Sequence, residues 1–319
     1  MFKLAIVSPC YNEEEVLESA CKRITEVLKK LICDGKVTED SFVLYVNDGS
    51  KDKTWEIIEH LTKENPLIKG ICLGANVGHQ SAIMAGMMTA KDLSDAVITI
   101  DADLQDDLDA LCQMVDEYER GYDVVYGVKT QRKADPFMKR LTAAAFYKMQ
   151  EKMGLKTINN HADFRLMSRR ALQQLSRFDE SNLYLRGIIP MLGFPSTTVA
   201  DEIKPREAGS SKYTLSKMLN LALDGVTSFS IRPIYIVLYI GVAYLFLSFG
   251  IACYVAWSLI WGTTASGWSS IMLSIWLVGG SLMVALGIIG LYVGKTFMET
   301  KHRPRYNIIK MSDNNTSEQ

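Results

Sequence analysis

The chain has 319 residues and a formal net charge of −1, from 35 Lys and Arg against 36 Asp and Glu, so it lacks the basic surplus of a nucleic-acid-binding protein. Its six cysteines contain no C-x-x-C pair, which argues against a zinc site or a disulfide framework and for a reducing, cytoplasmic setting. The length suits one large domain or two smaller ones.

In chain order, Lys3–Pro9 (KLAIVSP) is a short apolar run suited to a buried parallel strand, and it is too short for the core of a signal peptide. Val16, Leu17, Ala20, Ile24, Val27, Leu28 and Leu31 then recur at helical spacing, with Asn12 and Glu15 fitting a capping box at the helix start. FVLYVND, ending at Asp48, reads as a second strand, TWEIIEHLTKEN as a helix stopped by Pro66, IKGICLG as a strand and GHQSAIMAGMMTA as a helix. AVITID, LDALCQMVDEYER and DVVYGV continue the alternation as strand, helix and strand. The pattern predicts an α/β fold with an open, mainly parallel sheet.

In such sheets ligands bind outside the carboxyl ends of the strands. Polar clusters fall at five of these ends: Pro9 to Glu13, Asn47 to Ser50, Asn76 to Gly78, Asp101 to Gln105, and Gly127 to Arg132. Any one of them has a turn-forming reason to be there; together they would line one crevice. Asp101 and Asp103, two residues apart in a turn, can converge on one cation, with Gln105 as a third ligand. These hard oxygen donors suit Mg²⁺ or Mn²⁺, and Mg²⁺ sites commonly share their ion with substrate phosphates. Asp106, Asp107 and Asp109 have a duller reading, as acidic residues in the first turn of a helix. The four histidines show no metal-ligand spacing, and no G-x-G-x-x-G, P-loop or G-x-S-x-G motif is present.

Beyond this lies a sharp change of composition. The 62 residues from Pro233 to Gly294 include no Asp, Glu, Lys, Arg or His. About 20 apolar residues cross a bilayer, so the run predicts two membrane spans, Ile234–Ile260 and Ile271–Gly294, joined by a short loop near 262–270. Tyr235, Tyr239, Trp257, Trp261 and Trp268 lie near their ends, as interfacial aromatics do. Arg232 before the first span and Lys295, Lys301, Arg303, Arg305 and Lys310 after the second place both termini in the cytoplasm by the positive-inside rule. Residues 213–232 read either as an amphipathic helix on the membrane surface or as a buried core helix. The boundaries expected are a cytoplasmic catalytic domain over 1–212, the juxtamembrane segment 213–232, the membrane part 233–294 and a basic cytoplasmic tail over 295–319 with a disordered end.

SPCYNEEE, VNDGSKDKT, NVGHQSAIMAGM, IDADLQDD, DFRLMSRRAL and REAGSSKY occur in this order, followed by the two spans. The set resembles the polyprenyl-phosphate glycosyltransferases of glycosyltransferase family 2, such as bactoprenol glucosyltransferases and dolichol-phosphate mannose synthases, over about Lys3 to Arg305. The resemblance implies a GT-A catalytic domain, a Rossmann-like open mixed sheet, and two C-terminal transmembrane helices in a bacterial cell membrane. It also implies an inverting transfer of a sugar from a nucleotide-diphosphate sugar to the phosphate of a membrane polyprenol such as undecaprenyl phosphate, and a homo-oligomer. Carried over by position, Pro9, Tyr11, Glu13, Asp48, Asp101 and Ala102 would form the nucleotide pocket, and Asp101, Asp103 and Gln105 the metal and diphosphate site. Lys129, Arg132, Arg206, Ser211 and Lys212 would hold phosphate and acceptor, and Asp103, Asp163 and Arg165 would carry catalysis. Two positions depart from the family's habit: Lys129 stands where Arg is common, losing the bidentate fork, and Ala162 stands where Gly often precedes the aspartate. Taken by themselves, Arg165, Arg169 and Arg170 equally fit a solvated helix start. UDP-glucose is the favoured donor; GDP-mannose, UDP-N-acetylglucosamine or a modified aminosugar are alternatives. A processive polysaccharide synthase would normally carry Q-x-x-R-W and more spans, and a scaffold with a dead transferase domain would have lost the D-x-D or the phosphate clamps.

Overall fold

The computed structural model describes residues 1–103, 105–129, 161–180, 184–201, single positions between 237 and 257, and 267–313. It divides into two compact units, Met1–Met218 with Arg303–Gln319, and Leu219–His302.

The first unit opens with β1 (Leu4–Cys10), α1 (Leu17–Cys33), β2 (Phe42–Asn47), α2 (Thr54–Glu64), β3 (Ile68–Leu73), α3 (His79–Lys91), β4 (Ala96–Thr99), α4 (Leu108–Glu119) and β5 (Val124–Lys129). These are the alternating elements expected from the apolar runs. Every residue of β1 and β2 is buried, as strands covered on both faces must be. Leu4, Ile6, Val43, Tyr45 and Ile98 face one layer, where Leu17, Ala20, Ile24, Leu28 and Leu31 of α1 join Ile58 of α2 and Leu111, Met114 and Val115 of α4 in one apolar cluster. Burying side chains of this size is worth roughly 1.5–3 kcal/mol each. The opposite face carries α3, packed on β1, β2 and β4. Gly86 lets it lie close: a Cβ there would stand 2.3 Å from Val7 Cγ1 and 2.7 Å from Val46 Cγ2.

The capping box does not form. α1 starts at Leu17 behind Val16, with no side-chain cap. Asn12 instead takes a left-handed φ of 54°, and its side chain accepts from the Lys51 amide. Its polar group is used across two loops rather than along its own helix.

Three further strands complete an eight-stranded mixed sheet of order β7-β5-β6-β4-β1-β2-β3-β8. β6 (His161–Ser168) lies antiparallel between β4 and β5, and β7 (Ser196–Asp201) runs parallel to β5. Arg165 is therefore a buried strand residue, 2% exposed, and not part of a solvated helix start; Arg169 and Arg170 do begin the short helix α5 (Arg169–Leu175). α6 (Leu185–Met191) follows before β7.

The tail also departs from expectation. Ile308–Ser312 forms β8, antiparallel to β3, with Gly74 N donating to Asn307 O and Thr62 paired to Ser312 through their hydroxyls. Edge strand β3 offers unpaired backbone groups, and the alternating IIKMS segment satisfies them.

In the second unit, α7 (Trp268–Thr300) has 33 residues, about 50 Å at 1.5 Å per residue. Its Leu277–Thr300 part is long and apolar enough to cross a membrane, and it is the one such helix among the described residues. It begins three residues inside the expected loop and runs on past Gly294 to Thr300, a stretch that contains no proline. The described positions between 237 and 257 are also helical; the rest of the first expected span, and the segment 213–232, lie outside the described residues.

Candidate active site

The carboxyl ends of β1 and β2 are laced together. Asn12 N donates to Ser50 Oγ, Glu13 N to Thr54 Oγ1 and Glu14 N to Asp52 Oδ2. Pro9 is buried within β1, Tyr11 is 36% exposed, and Ala102, the middle residue of the D-x-D, is buried. Asp48, 3% exposed, accepts from Val77 N at 2.8 Å and Gly78 N at 3.1 Å. Both oxygens thus hold the loop after β3, where Gly78 takes a φ of 87°. Burial still outweighs these two amides and leaves the Asp48 carboxyl above its ordinary range.

That loop delivers His79, the first residue of α3, to the centre of the site. His79 Nε2 is 3.5 Å from Asp101 Oδ1 and 3.5 Å from Asp163 Oδ2. Asp163 comes from the far side of the sequence because β6 is antiparallel: Thr99, at the end of β4, pairs with Arg165, and its hydroxyl donates to the Asp163 and Arg165 carbonyls. Arg165 Nη2 donates to Asp163 Oδ1 at 2.6 Å, while Arg186 of α6 spans both oxygens, Nε to Oδ1 at 3.3 Å and Nη2 to Oδ2 at 3.1 Å. Burial alone would raise the Asp163 carboxyl, but Arg186, His79 and Arg165 hold it well below the usual range. Burial resists a charge on His79, yet the Asp163 hydrogen bond and the Asp101 and Asp163 charges win, lifting its pKa to about 9.

The acidic run after β4 divides differently from the sequence reading. Asp107 caps α4, accepting from Asp109 N, and exposed Asp109 sits in its first turn. Asp106, however, is 2% exposed, stands 3.6 Å from Lys129 Nζ and accepts from Asp101 N. Burial and the Asp101 charge push it up to about 7, against the pull of Lys129. Asp101 itself is raised, first by burial and then by Asp163 and Asp103, with His79 opposing. Asp103 Oδ1 accepts from Gln105 N, which folds the D-x-D-x-Q turn on itself. Asp201, at the end of β7 in register with Lys129, accepts from Asp107 N.

Of the expected residues, Asp101, Asp163 and Arg165 gather in one cluster, with Lys129 joined to it through Asp106, and Asp48 through the loop bearing His79. Arg132, Arg206, Ser211 and Lys212 lie outside the described residues. His79, Arg186 and Asp106 were not anticipated. His79 had a signal, since it directly follows the flagged Asn76–Gly78 strand end; Arg186 had none. Among the described residues no group of three or more His, Cys, Asp or Glu side chains is disposed to hold a metal. A depression of about 480 Å³, lined in part by Phe2, Asp95, Tyr118 and Asp123, sits at the amino end of β4, away from the cluster. Its charges are already matched, Arg170 to Asp123 and Arg169 to Asp95.

Comparison with known proteins gives consistent results. Residues 5–176 match the profile of glycosyl transferase family 2. The uncharacterized glycosyltransferase YkoT of Bacillus subtilis (strain 168) is 48% identical over 307 residues, covering 96% of this chain and 90% of that protein. The bactoprenol glucosyl transferase of Shigella phage SfV is 35% identical over 311 residues, covering 96% and 98%. Among solved structures, the mannosyltransferase PcManGT from Pyrobaculum calidifontis, in complex with GDP-Man and Mn²⁺, covers 93% of this chain and 84% of its own at 14% identity and a TM-score of 0.42.

Proposed function

The chain belongs to glycosyl transferase family 2, with that family's GT-A-like α/β fold on a mixed sheet, and from this premise we propose that it transfers a sugar, glucose in the favoured case, from a nucleotide-diphosphate donor to the phosphate of a membrane polyprenol. The near full-length identity to bactoprenol glucosyl transferases supports this acceptor class. The observation that carries the reading at the site is the meeting of two unlike halves: the acidic turn of Asp101 and Asp103, and the cation-rich surround of Asp163.

The donor side fits a divalent cation. Asp101, Asp103 and Gln105 supply hard oxygen donors, and the raised carboxyls of Asp101 and Asp106 mark a concentration of like charge that a cation would offset. Bound there, Mg²⁺ or Mn²⁺ would supply charge neutralisation for the departing nucleotide diphosphate. Asp48 shapes the nucleotide end indirectly, by fixing the 77–78 loop; Tyr11 and Glu13 stand on the laced loops beside it.

On the acceptor side, the lipid phosphate is largely ionised at neutral pH, its second pKa being about 6. It attacks the anomeric carbon without first losing a proton to the protein, inverting the configuration. Asp163 accordingly works as an orienting charge: its depressed pKa keeps it ionised, and it fixes Arg165 and Arg186, whose surplus positive charge suits an incoming phosphate. Arg132, Arg206, Ser211 and Lys212 complete this reading as phosphate ligands.

The membrane completes it too. Met283, Val284 and Val293 on α7 are more than 60% exposed, which is unfavourable in water and natural in lipid. The chain is read as a two-span protein with both termini cytoplasmic. Incubating membranes that contain the full chain with radiolabelled UDP-glucose, GDP-mannose or UDP-N-acetylglucosamine and undecaprenyl phosphate tests this. A solvent-extractable labelled lipid, strongest with UDP-glucose, is expected; no lipid-linked product with any donor would refute the assignment.

A further inference from the structure

His79 does not belong to the residues that the motifs single out, yet it stands between the two halves of the site. Among the described residues it is the one basic side chain within ion-pair distance of Asp101, at 3.5 Å, and its Nε2 lies equally far, 3.5 Å, from Asp163. We propose that His79 is a positioning residue for the transfer, setting the separation between the donor-side carboxylate Asp101 and the acceptor-side carboxylate Asp163. The inference rests on the transferase reading above and deepens it.

Three independent restraints fix where the imidazole sits. Its chain neighbours Val77 and Gly78 are held by both oxygens of buried Asp48. On the other side, Gln80 Oε1 accepts from Leu185 N, tying the start of α3 to the helix that carries Arg186. Along the helix, Gly86 seats α3 directly on Val7 and Val46. A side chain that merely began a solvated helix would need none of this. Here the nucleotide-end carboxylate, the donor turn, the acceptor aspartate and α6 are joined through one residue and its two neighbours.

The chemistry gives the link its importance. The imidazole Nε2 stands 3.5 Å from a carboxylate oxygen on either side, so the ring holds Asp101 and Asp163 at a defined gap. Nucleophile and anomeric carbon react from about 3–3.5 Å, and a misplacement of about 1 Å costs on the order of 100-fold in rate. Loss of His79 is therefore expected to reach the chemical step more than the binding of either substrate, since other residues are assigned to hold the diphosphate and the lipid phosphate.

The test uses the full chain in membranes, with the donor that gives product with the unaltered protein. For His79→Ala we expect kcat to fall on the order of 100-fold, with KM for donor and for lipid phosphate each within about threefold of the original. His79→Gln, whose amide N–H₂ reaches the position of Nε2, is expected to recover about tenfold of that loss. The thermal midpoint should fall by no more than about a few degrees in either, because the side chain is 41% exposed and its ion pairs are screened by water. A kcat for His79→Ala within threefold of the original, or a loss that His79→Gln leaves untouched while the midpoint drops further than that, overturns the inference and leaves the transferase reading standing. Absence of lipid-linked product from the unaltered protein with every donor overturns both together.

Discussion

Replacing Asp163 by Asn tests the buried centre of the site. Asp163 is 8% exposed and Arg165 2% exposed, and they meet at 2.6 Å. Removing one partner of a buried pair leaves the other charge uncompensated, at about 3–5 kcal/mol. Arg186 and His79, with side chains 36% and 41% exposed, are screened by water, so most of that cost falls on Arg165. At roughly 2–4 °C per kcal/mol for a unit of this size, Asp163→Asn should lower the thermal midpoint by about 6–20 °C. Replacing both members, Asp163→Asn with Arg165→Met, removes the stranded charge while keeping its volume, and should restore the midpoint to within a few degrees. Neither variant should recover transfer. The pH dependence has two limbs. Asp163 is depressed in the folded state, so its contribution is complete above its unfolded pKa of about 3.9 and fades as pH falls through the folded value. His79 is raised, so its share is complete below about 6.5 and fades as pH rises through about 9. The gap between the original protein and Asp163→Asn should therefore be widest from about pH 5 to 6.5. An unchanged midpoint for the single variant would refute Asp163 as the counter-ion of Arg165. Retention of most turnover would remove it from the chemistry, as base and as orienting charge alike.

Three other substitutions probe separate parts of the molecule. Asp103→Ala should abolish transfer while Asp109→Ala leaves it nearly intact, and chelation with EDTA should abolish it until Mg²⁺ or Mn²⁺ is returned; equal activity of the two variants would disprove the division of the acidic run. Gly86→Ala places a methyl group against Val7 and Val46, and the overpacking should cost about 1–3 kcal/mol, read as a lowered thermal midpoint. Ending the chain after Arg305 removes β8, bares the edge of β3 and should lower the midpoint and promote aggregation, measured by light scattering; a truncated protein as stable and soluble as the original would show that the edge needs no cover.

The first five strands and the helices between them were legible because each buries a continuous or periodic apolar face, which is a local property. β6, β7 and β8 were not. HADFRLMS carries an acid, an arginine and a histidine, and it becomes a strand because it inserts between β4 and β5. STTVAD is small and polar, suited to the edge it forms on β5. IIKMS follows a long apolar helix, so nothing nearby in sequence announces that it returns to β3. The capping box failed for the converse reason: Asn12 had the local pattern, but a contact with Lys51, 39 residues away, took its side chain. Asp106 shows the same limit, since its neighbours say helix start and only its burial against Lys129 separates it from Asp107 and Asp109.

The reversal at β6 is what brings Asp163 to the same rim of the sheet as Asp101. Parallel strands bring their carboxyl ends to one rim, which accounts for Asp48, Asp101 and Lys129 lying at the same end of the sheet. Asp163 lies near the amino end of its strand, and an amino end reaches that rim only if the strand is antiparallel. In the register observed, Arg165 pairs with Thr99 and Ser168 with Ala96, so Asp163 projects beyond the end of β4 beside Asp101. Were β6 parallel to β4, the stretch from Asp163 to Ser168 would run the other way and carry Asp163 roughly 17 Å toward the amino ends, at about 3.3 Å per residue. His79, Arg165 and Arg186 would then have no common carboxylate to hold. The antiparallel insertion of β6 thus sets the acidic turn of Asp101 and Asp103 against an arginine-clasped aspartate on one rim.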